Sequence, residues 1–399
     1  MAKVRVGLVG HGFAAGLHLP GYAQLGPDRC EVVAVCGRDR ARASAFAAQH
    51  AIPHAFGSLT EMLQGVGLDA VDLVVPNHVH TECALEVARA GKHLIVEKPL
   101  TGYFGEPDTP ADELVGRTIP KSHMLARVIE DCDAILQACE QAGVKLCYAE
   151  NWCYAPAFTK LRRLANAANG TILRIEAEES HSGSTSMYAH RWRTAGGGSL
   201  NLKGSHPLGA VLQLKQEEGE RRTGQPLRPA SIFTEVGNLT HVPAFQAEET
   251  KQLRIGWQDV EDWGVMVIKF EDGSVAEIKA ADTTLGGVHN YLEAYLSNAR
   301  IRANINPNDS VVAYAPAGHI FGDEYIIEKL ETKAGWSNPS PDDPWMQGYA
   351  HEIADFVGAI AEDRPPLSGA MLARDVSVVL YAAYLSAEEG RRVDLKPYL

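Results

Sequence analysis

Short runs of β-branched and aliphatic residues recur through the first part of the chain, at Val4–Gly10, Glu31–Gly37, Val71–Pro76, His93–Val96 and Lys145–Tyr148. Between most of them lie stretches whose apolar positions repeat at helical spacing, such as Glu82 to Ala90 and the segment from Ser122 onward. Apolar runs that alternate with helices predict the buried strands of a doubly wound parallel sheet. The second part has another rhythm. After an amphipathic helix from Ala157 to Ala168, strand-like segments follow at Thr171–Ser180, Ile232–Leu239, Trp263–Phe270, Val275–Ala280, Tyr291–Leu296, Val311–Tyr314 and Tyr325–Leu330. Glu271-Asp272-Gly273-Ser274 between two of them reads as a hairpin turn. This pattern predicts an open, mostly antiparallel sheet, closed by helices at Met346–Glu362 and Ala370–Glu389. The expected division is an α/β domain over 1–150 and an α+β domain over 151–399, with the last helix placed to pack back on the first domain.

A chain of 399 residues is long enough for two cores of this kind. Acidic residues outnumber basic ones by 50 to 37, a net charge of −13 without a long basic run, which argues against nucleic acid and anionic membrane as partners. The seven cysteines (30, 36, 83, 132, 139, 147, 153) are odd in number and never spaced C-x-x-C, so they read as reduced core residues of a cytoplasmic protein. Neither a disulfide framework nor a metal site is expected. The first strand starts at Val4, so no signal peptide is expected, and no apolar stretch reads as a membrane span.

Chemistry enters at the ends of the predicted strands. The first strand runs into Gly10-His11-Gly12-Phe13-Ala14-Ala15, a G-x-G-x-x-A turn that opens a helix. Gly10 permits the tight turn, Gly12 lets a pyrophosphate approach the backbone, and Ala15 packs the helix whose N-terminus, at Phe13 and Ala14, faces the phosphates. The second strand ends Cys36-Gly37-Arg38-Asp39. An acid there accepts the ribose hydroxyls of NAD and an arginine favours the 2′-phosphate of NADP, so Asp39 and Arg38 point to NAD with NADP left open. The fourth run above ends in Glu97-Lys98-Pro99, which puts an amine at the carboxyl edge of the sheet.

A dinucleotide turn followed by Glu-Lys-Pro resembles the glucose-fructose oxidoreductase / inositol dehydrogenase (Gfo/Idh/MocA) family. The resemblance implies an N-terminal Rossmann domain, NAD as cofactor, and hydride transfer at a sugar or a related polyol. In the family a Pro-Asn-x-x-His segment similar to Pro76-Asn77-His78-Val79-His80 lines the nicotinamide side, which implicates Pro76, Asn77 and His80 together with Glu97 and Lys98. A competing reading of His80 is a first-turn residue packed against the sheet. The excursion over about 101–121, rich in glycine and proline, reads as a lid, an oligomer contact or an ordered loop.

Asn151-Trp152-Cys153-Tyr154-Ala155-Pro156 lies where the family crosses between domains, so Asn151 and Tyr154 belong either to a sugar-stacking wall or to a hinge core. Members similar to inositol dehydrogenase use Lys, Asp and His together, the Asp four residues before the His. This chain keeps Lys98 and His206 but has Leu202 at the Asp position. Lys98 then stabilises the developing alkoxide and His206 takes the hydroxyl proton, with Lys203 expected to keep that imidazole neutral. Arg191, Arg193 and Lys203, beside Trp192, form either surface ion pairs or a pocket for a carboxylate, sulfonate or phosphate on a sugar, and His181 is a further candidate in the same cleft.

Three functions fit these residues. The first is an NAD-dependent oxidoreductase acting on a ring hydroxyl of a sugar or glycoside. The second is a redox-neutral, NAD-dependent glycoside hydrolase that oxidises C3, eliminates the aglycone, adds water and returns the hydride, drawing on His181, Tyr154 and Lys203 as extra acid/base groups. The third is a non-catalytic nucleotide-dependent sensor, motivated by the lost Asp. An open sheet face makes a homodimer or homotetramer the expected assembly.

Overall fold

The structure is a computed structural model that describes residues 3–307 and 309–399. The chain forms two compact units: residues up to Gly102 with Ala126–Tyr154 and Gly348–Ser377, and then Tyr103–Leu125 with Ala155–Gln347 and Val378–Leu399. A single cut at residue 150 therefore misses two exchanges. The excursion after Pro99 belongs to the second unit, and the helix Tyr349–Ala361 returns to the first. Its buried stripe Ile353, Phe356 and Val357 needs an apolar cover, which the helix Phe13–Leu25 supplies. Gly21 allows that approach, since a Cβ there would stand 2.9 Å from the Ile353 side chain.

The first unit holds six parallel strands, β1 (Val4–Val9), β2 (Cys30–Cys36), β3 (His54–Phe56), β4 (Ala70–Leu73), β5 (His93–Glu97) and β6 (Leu146–Ala149), in the order β3-β2-β1-β4-β5-β6. The order reverses between β1 and β4, and open α/β sheets bind ligands beyond the carboxyl ends of strands at such a reversal. Only β3 was absent from the hydrophobic pattern. It is three residues long, lies at the sheet edge and is never fully buried, so it shows no periodicity.

The second unit holds β7 (Ile172–Ser180), β8 (Pro229–Gly237), β9 (Trp263–Phe270), β10 (Val275–Ala281), β11 (His289–Leu296), β12 (Arg300–Asn306), the hairpin β13 (Ala313–Ala315) with β14 (Gly335–Ser337), and β15 (Val393–Asp394). The large sheet runs β12-β11-β7-β10-β9-β8-β15, with β7 and β10 its one parallel neighbour pair among the described residues. Tyr325–Leu330, expected as a strand, is irregular. Met346–Glu362, expected as one helix, is broken by Gly348 at φ +99° into Asp343–Met346 and Tyr349–Ala361. The helix Ser205–Thr223 was not foreseen because Ser205 through Gln216 is buried all round, leaving no apolar stripe to recognise. The helix Ala370–Glu389 is, against expectation, long and apolar enough to cross a membrane by length and composition, but 78% of its most apolar stretch is buried inside the protein.

One buried acid ties the middle of this unit together. Glu261 accepts the main-chain N–H groups of Gly198 (3.0 Å) and Leu200 (2.9 Å) and the hydroxyl of Tyr384 (2.9 Å). Burial nevertheless pushes its carboxyl from 4.5 up to about 7. The folded state thus holds a proton that the unfolded state has lost between these values, so stability is greatest below the lower value and declines as pH rises through the interval. Unfolding free energies from denaturant titration should fall between about pH 4.5 and 7, by at most about 3 kcal/mol from this group, and Glu261→Gln should flatten that decline.

Candidate active site

In the first unit the turn after β1 has Gly10 at φ +105°, where a Cβ would lie 2.4 Å from the Val74 carbonyl oxygen. Gly12 is exposed and a Cβ there would meet nothing within 4 Å. The next two helices are capped by side chains, Asp39 accepting the Arg42 N–H (3.1 Å) and Ser58 the Glu61 N–H (3.2 Å). The helix Phe13–Leu25, which starts at this turn, has no side-chain cap. Open main-chain donors beside an unobstructed glycine fit a pyrophosphate, with Phe13 79% exposed alongside. Asp39 thus carries a capping duty, and Arg38 is exposed before it.

The Lys98 turn is fastened from two sides. Glu97, the last residue of β5, accepts the Lys98 N–H (3.0 Å) at Oε2 and lies 3.1 Å from His18 Nε2 at Oε1. His80 is fully buried, with Nδ1 2.8 Å from the Pro99 carbonyl and Nε2 3.0 Å from that of Val75. Burial lowers its pKa, so a neutral ring donates to one carbonyl at a time. His80 is therefore a fastening of the turn and not a cofactor contact, whereas Pro76 is exposed and Asn77 half-buried at the adjoining strand end. Sequence reading missed His18 and Asp72, which no motif marks because each sits singly in an apolar run.

Asn151–Tyr154 is a wholly buried turn. The Tyr154 hydroxyl donates to Asp355 (2.9 Å) and accepts the Ser368 N–H (2.9 Å). Asn151 and Tyr154 are thus core residues of the first unit.

In the second unit the expected cation pocket does not form. Arg191 donates to the carbonyls of Ala111 (3.2 Å) and Glu113 (3.3 Å), and Arg193 to those of Pro110 (2.6 Å) and Thr109 (2.8 Å). Their guanidinium groups hold the excursion in place. Trp192 is buried beside Tyr384, ring centroids 4.6 Å apart, with the Lys121 ammonium 4.8 Å from its ring. It is a core residue and not a substrate contact.

Past the Gly196-Gly197-Gly198 turn, a short helix Ser199–Leu202 stops at Lys203-Gly204 and Ser205–Thr223 begins. Side chains are barred from the turn: a Cβ on Gly198 would lie 2.0 Å from the Glu261 carbonyl, and one on Gly204 2.5 Å from that of Leu200. Positions 202 and 206 therefore do not share one continuous helix face. A carboxylate is supplied from elsewhere. Asp282, just past β10, accepts the Ser199 hydroxyl (2.5 Å) and lies 2.7 Å from the Lys203 ammonium, both charges buried. Lys203 is thereby neutralised, which removes it as an anion ligand and as an uncompensated charge acting on His206.

His206, 8% exposed, opens the long helix and donates its N–H to the Lys203 carbonyl (3.1 Å). His181 follows β7, whose last residue Ser180 pairs with Ala281, so His181 and Asp282 leave neighbouring strands together. Its Nδ1 accepts the Gly183 N–H (2.9 Å), which leaves the proton on Nε2. His190, unforeseen from sequence, packs edge-on against Trp257; burial lowers its pKa while Asp282 opposes the shift.

Comparison with known proteins follows this geometry. A family described as an oxidoreductase family with an NAD-binding Rossmann fold matches residues 4–111. D-xylose 1-dehydrogenase (NADP(+)) 2 of Haloferax volcanii is 31% identical over 370 residues, 92% of either chain. An uncharacterized oxidoreductase of Rhizobium meliloti, ORF334, is 39% identical over 128 residues, 31% of this chain and 38% of that one. The crystal structure of GenD2 from gentamicin A biosynthesis in complex with NAD shares the fold, with a TM-score of 0.77 at 24% identity over 99% of this chain and 97% of that one. The class is thus that of oxidoreductases built on an NAD-binding Rossmann domain. Within it, the chain belongs to the Gfo/Idh/MocA family.

The two glycines of the turn should separate folding from binding. Gly12→Ala should keep the wild-type melting temperature and weaken NAD binding at least about tenfold by calorimetry, because its methyl group enters the space left for phosphate. Gly10→Ala should destabilise the protein itself, by about 2 kcal/mol or more in denaturant titration.

Proposed function

We propose that the protein is an NAD-dependent dehydrogenase that takes hydride from a ring hydroxyl of an uncharged sugar or glycoside. The observation that carries this reading is Lys98, half-buried at the carboxyl end of β5 on a turn whose main chain is bonded on both sides. Full-length similarity to a sugar dehydrogenase supports it. The bound nicotinamide supplies the hydride acceptor. Lys98 donates to the hydroxyl oxygen as negative charge builds there, and the hydroxyl proton leaves to a base, the role that the sequence assigns to His206. An uncharged substrate is favoured because Arg191, Arg193 and Lys203 are each engaged with protein groups. Of the groups a redox-neutral hydrolase would recruit, Tyr154 and Lys203 are likewise engaged.

Incubation with NAD in deuterated water, with D-xylose and with neutral, uronic and sulfonated aryl glycosides, tests the proposal. Stoichiometric NADH with the aglycone still attached is expected, fastest with neutral sugars. Aglycone release with deuterium at C2 and no net NADH would instead establish the hydrolase. Lys98→Met should lower kcat/KM by about 10²- to 10⁴-fold while NAD still binds, and unchanged turnover would remove Lys98 from the chemistry.

A further inference from the structure

Under the Lys98 turn the first unit holds a group of largely buried charges that reaches Lys98 through its main-chain N–H. His18 lies on the helix Phe13–Leu25 with no exposed surface. Its Nδ1 is 2.8 Å from Asp72 Oδ2, its Nε2 3.1 Å from Glu97 Oε1, and the same nitrogen 4.0 Å from Glu352 Oε1. Asp72 sits within β4, fully buried between Val71 and Leu73, and also accepts the Tyr22 hydroxyl (2.9 Å). Glu352, on Tyr349–Ala361, is equally buried, and Glu150 beyond β6 adds a further acid.

Such an assembly is costly unless its charges compensate. A neutral imidazole donates one hydrogen bond and cannot serve Asp72 and Glu97 together, whereas an imidazolium donates to both. The two carboxylates outweigh burial and hold the His18 pKa well above its ordinary value. Burial, and then the neighbouring acids, push the Glu352 carboxyl well up, with His18 opposing the shift. The remaining oxygen of Glu97 accepts the Lys98 N–H, so a continuous series of bonds runs from Asp72 through His18 and Glu97 to the main chain of Lys98.

We propose that His18 is a positioning residue: bridging Asp72 and Glu97, it orients the Glu97 carboxylate that holds the Lys98 main chain and thereby sets the place and surroundings of the Lys98 amine. The inference rests on the reading of Lys98 as the group that meets the substrate oxygen. Removal of His18 leaves Glu97 to turn toward solvent, and the amine loses its fixed origin. Binding of NAD and sugar survives, and the reaction step suffers.

The full-length His18→Gln protein, assayed with the panel sugar of highest kcat/KM, should lose about tenfold or more in kcat with both KM values within about twofold of wild type. In a Lys98→Met background the same substitution should cost nothing further, because His18 acts through Lys98. Wild-type kcat in a folded His18→Gln protein, or an equal loss in both backgrounds, would overturn the proposal. If Lys98→Met alone keeps full turnover, it is the Lys98 reading that falls. Should His18→Gln not fold, Glu97→Gln breaks the same series nearer the surface and carries the same comparison. An activity-independent check is the ¹⁵N spectrum of histidine-labelled protein, in which both His18 ring nitrogens should remain protonated across about pH 6 to 8, and a neutral ring would refute the bridge.

Discussion

A carboxylate taken out of water must be met by a cation or by several N–H groups, and in this protein that requirement fixes the main chain wherever a reactive side chain is carried. Glu97 is met by His18 and by the Lys98 N–H. Asp282 is met by Lys203 and Ser199 immediately before His206. Glu261 gathers the N–H groups of Gly198 and Leu200 at the start of the same segment. Each of these turns is thus anchored by an acid with little or no exposed surface.

The same economy of charge decides what the second unit offers a substrate. A sequence with Arg191, Arg193 and Lys203 close together suggests an anion site, but the guanidinium groups close on main-chain carbonyls of the excursion and the ammonium on Asp282. The excursion is therefore a part of the second unit's framework, pinned further where the Gly116 N–H meets Asp259 (2.9 Å).

Loss of the family Asp at Leu202 also finds its physical account here. Leu202 ends the short helix Ser199–Leu202, and a new helix begins at Ser205, before His206. Asp282 brings a negative charge to this turn from the end of β10 and spends it on the lysine. The turn keeps a buried acid, and that acid binds the Lys203 ammonium and the Ser199 hydroxyl.

Much of this was legible in the linear chain. Strand runs, the glycine turn and Glu97-Lys98-Pro99 are local patterns, and local patterns survive into the fold because β-rich runs, tight turns and helix starts depend on neighbours in sequence. Five of the six strands of the parallel sheet followed, and so did the family. What escaped notice depended on partners far along the chain: His18 with Asp72 and Glu97, Lys203 with Asp282, and Tyr154 with Asp355. The sequence determined which residues could do chemistry, because side-chain type and the turn that bears it are local properties. Tertiary structure alone decided which of them were already committed, because a buried charge takes whichever partner the folded chain brings within about 3 Å, however distant in sequence.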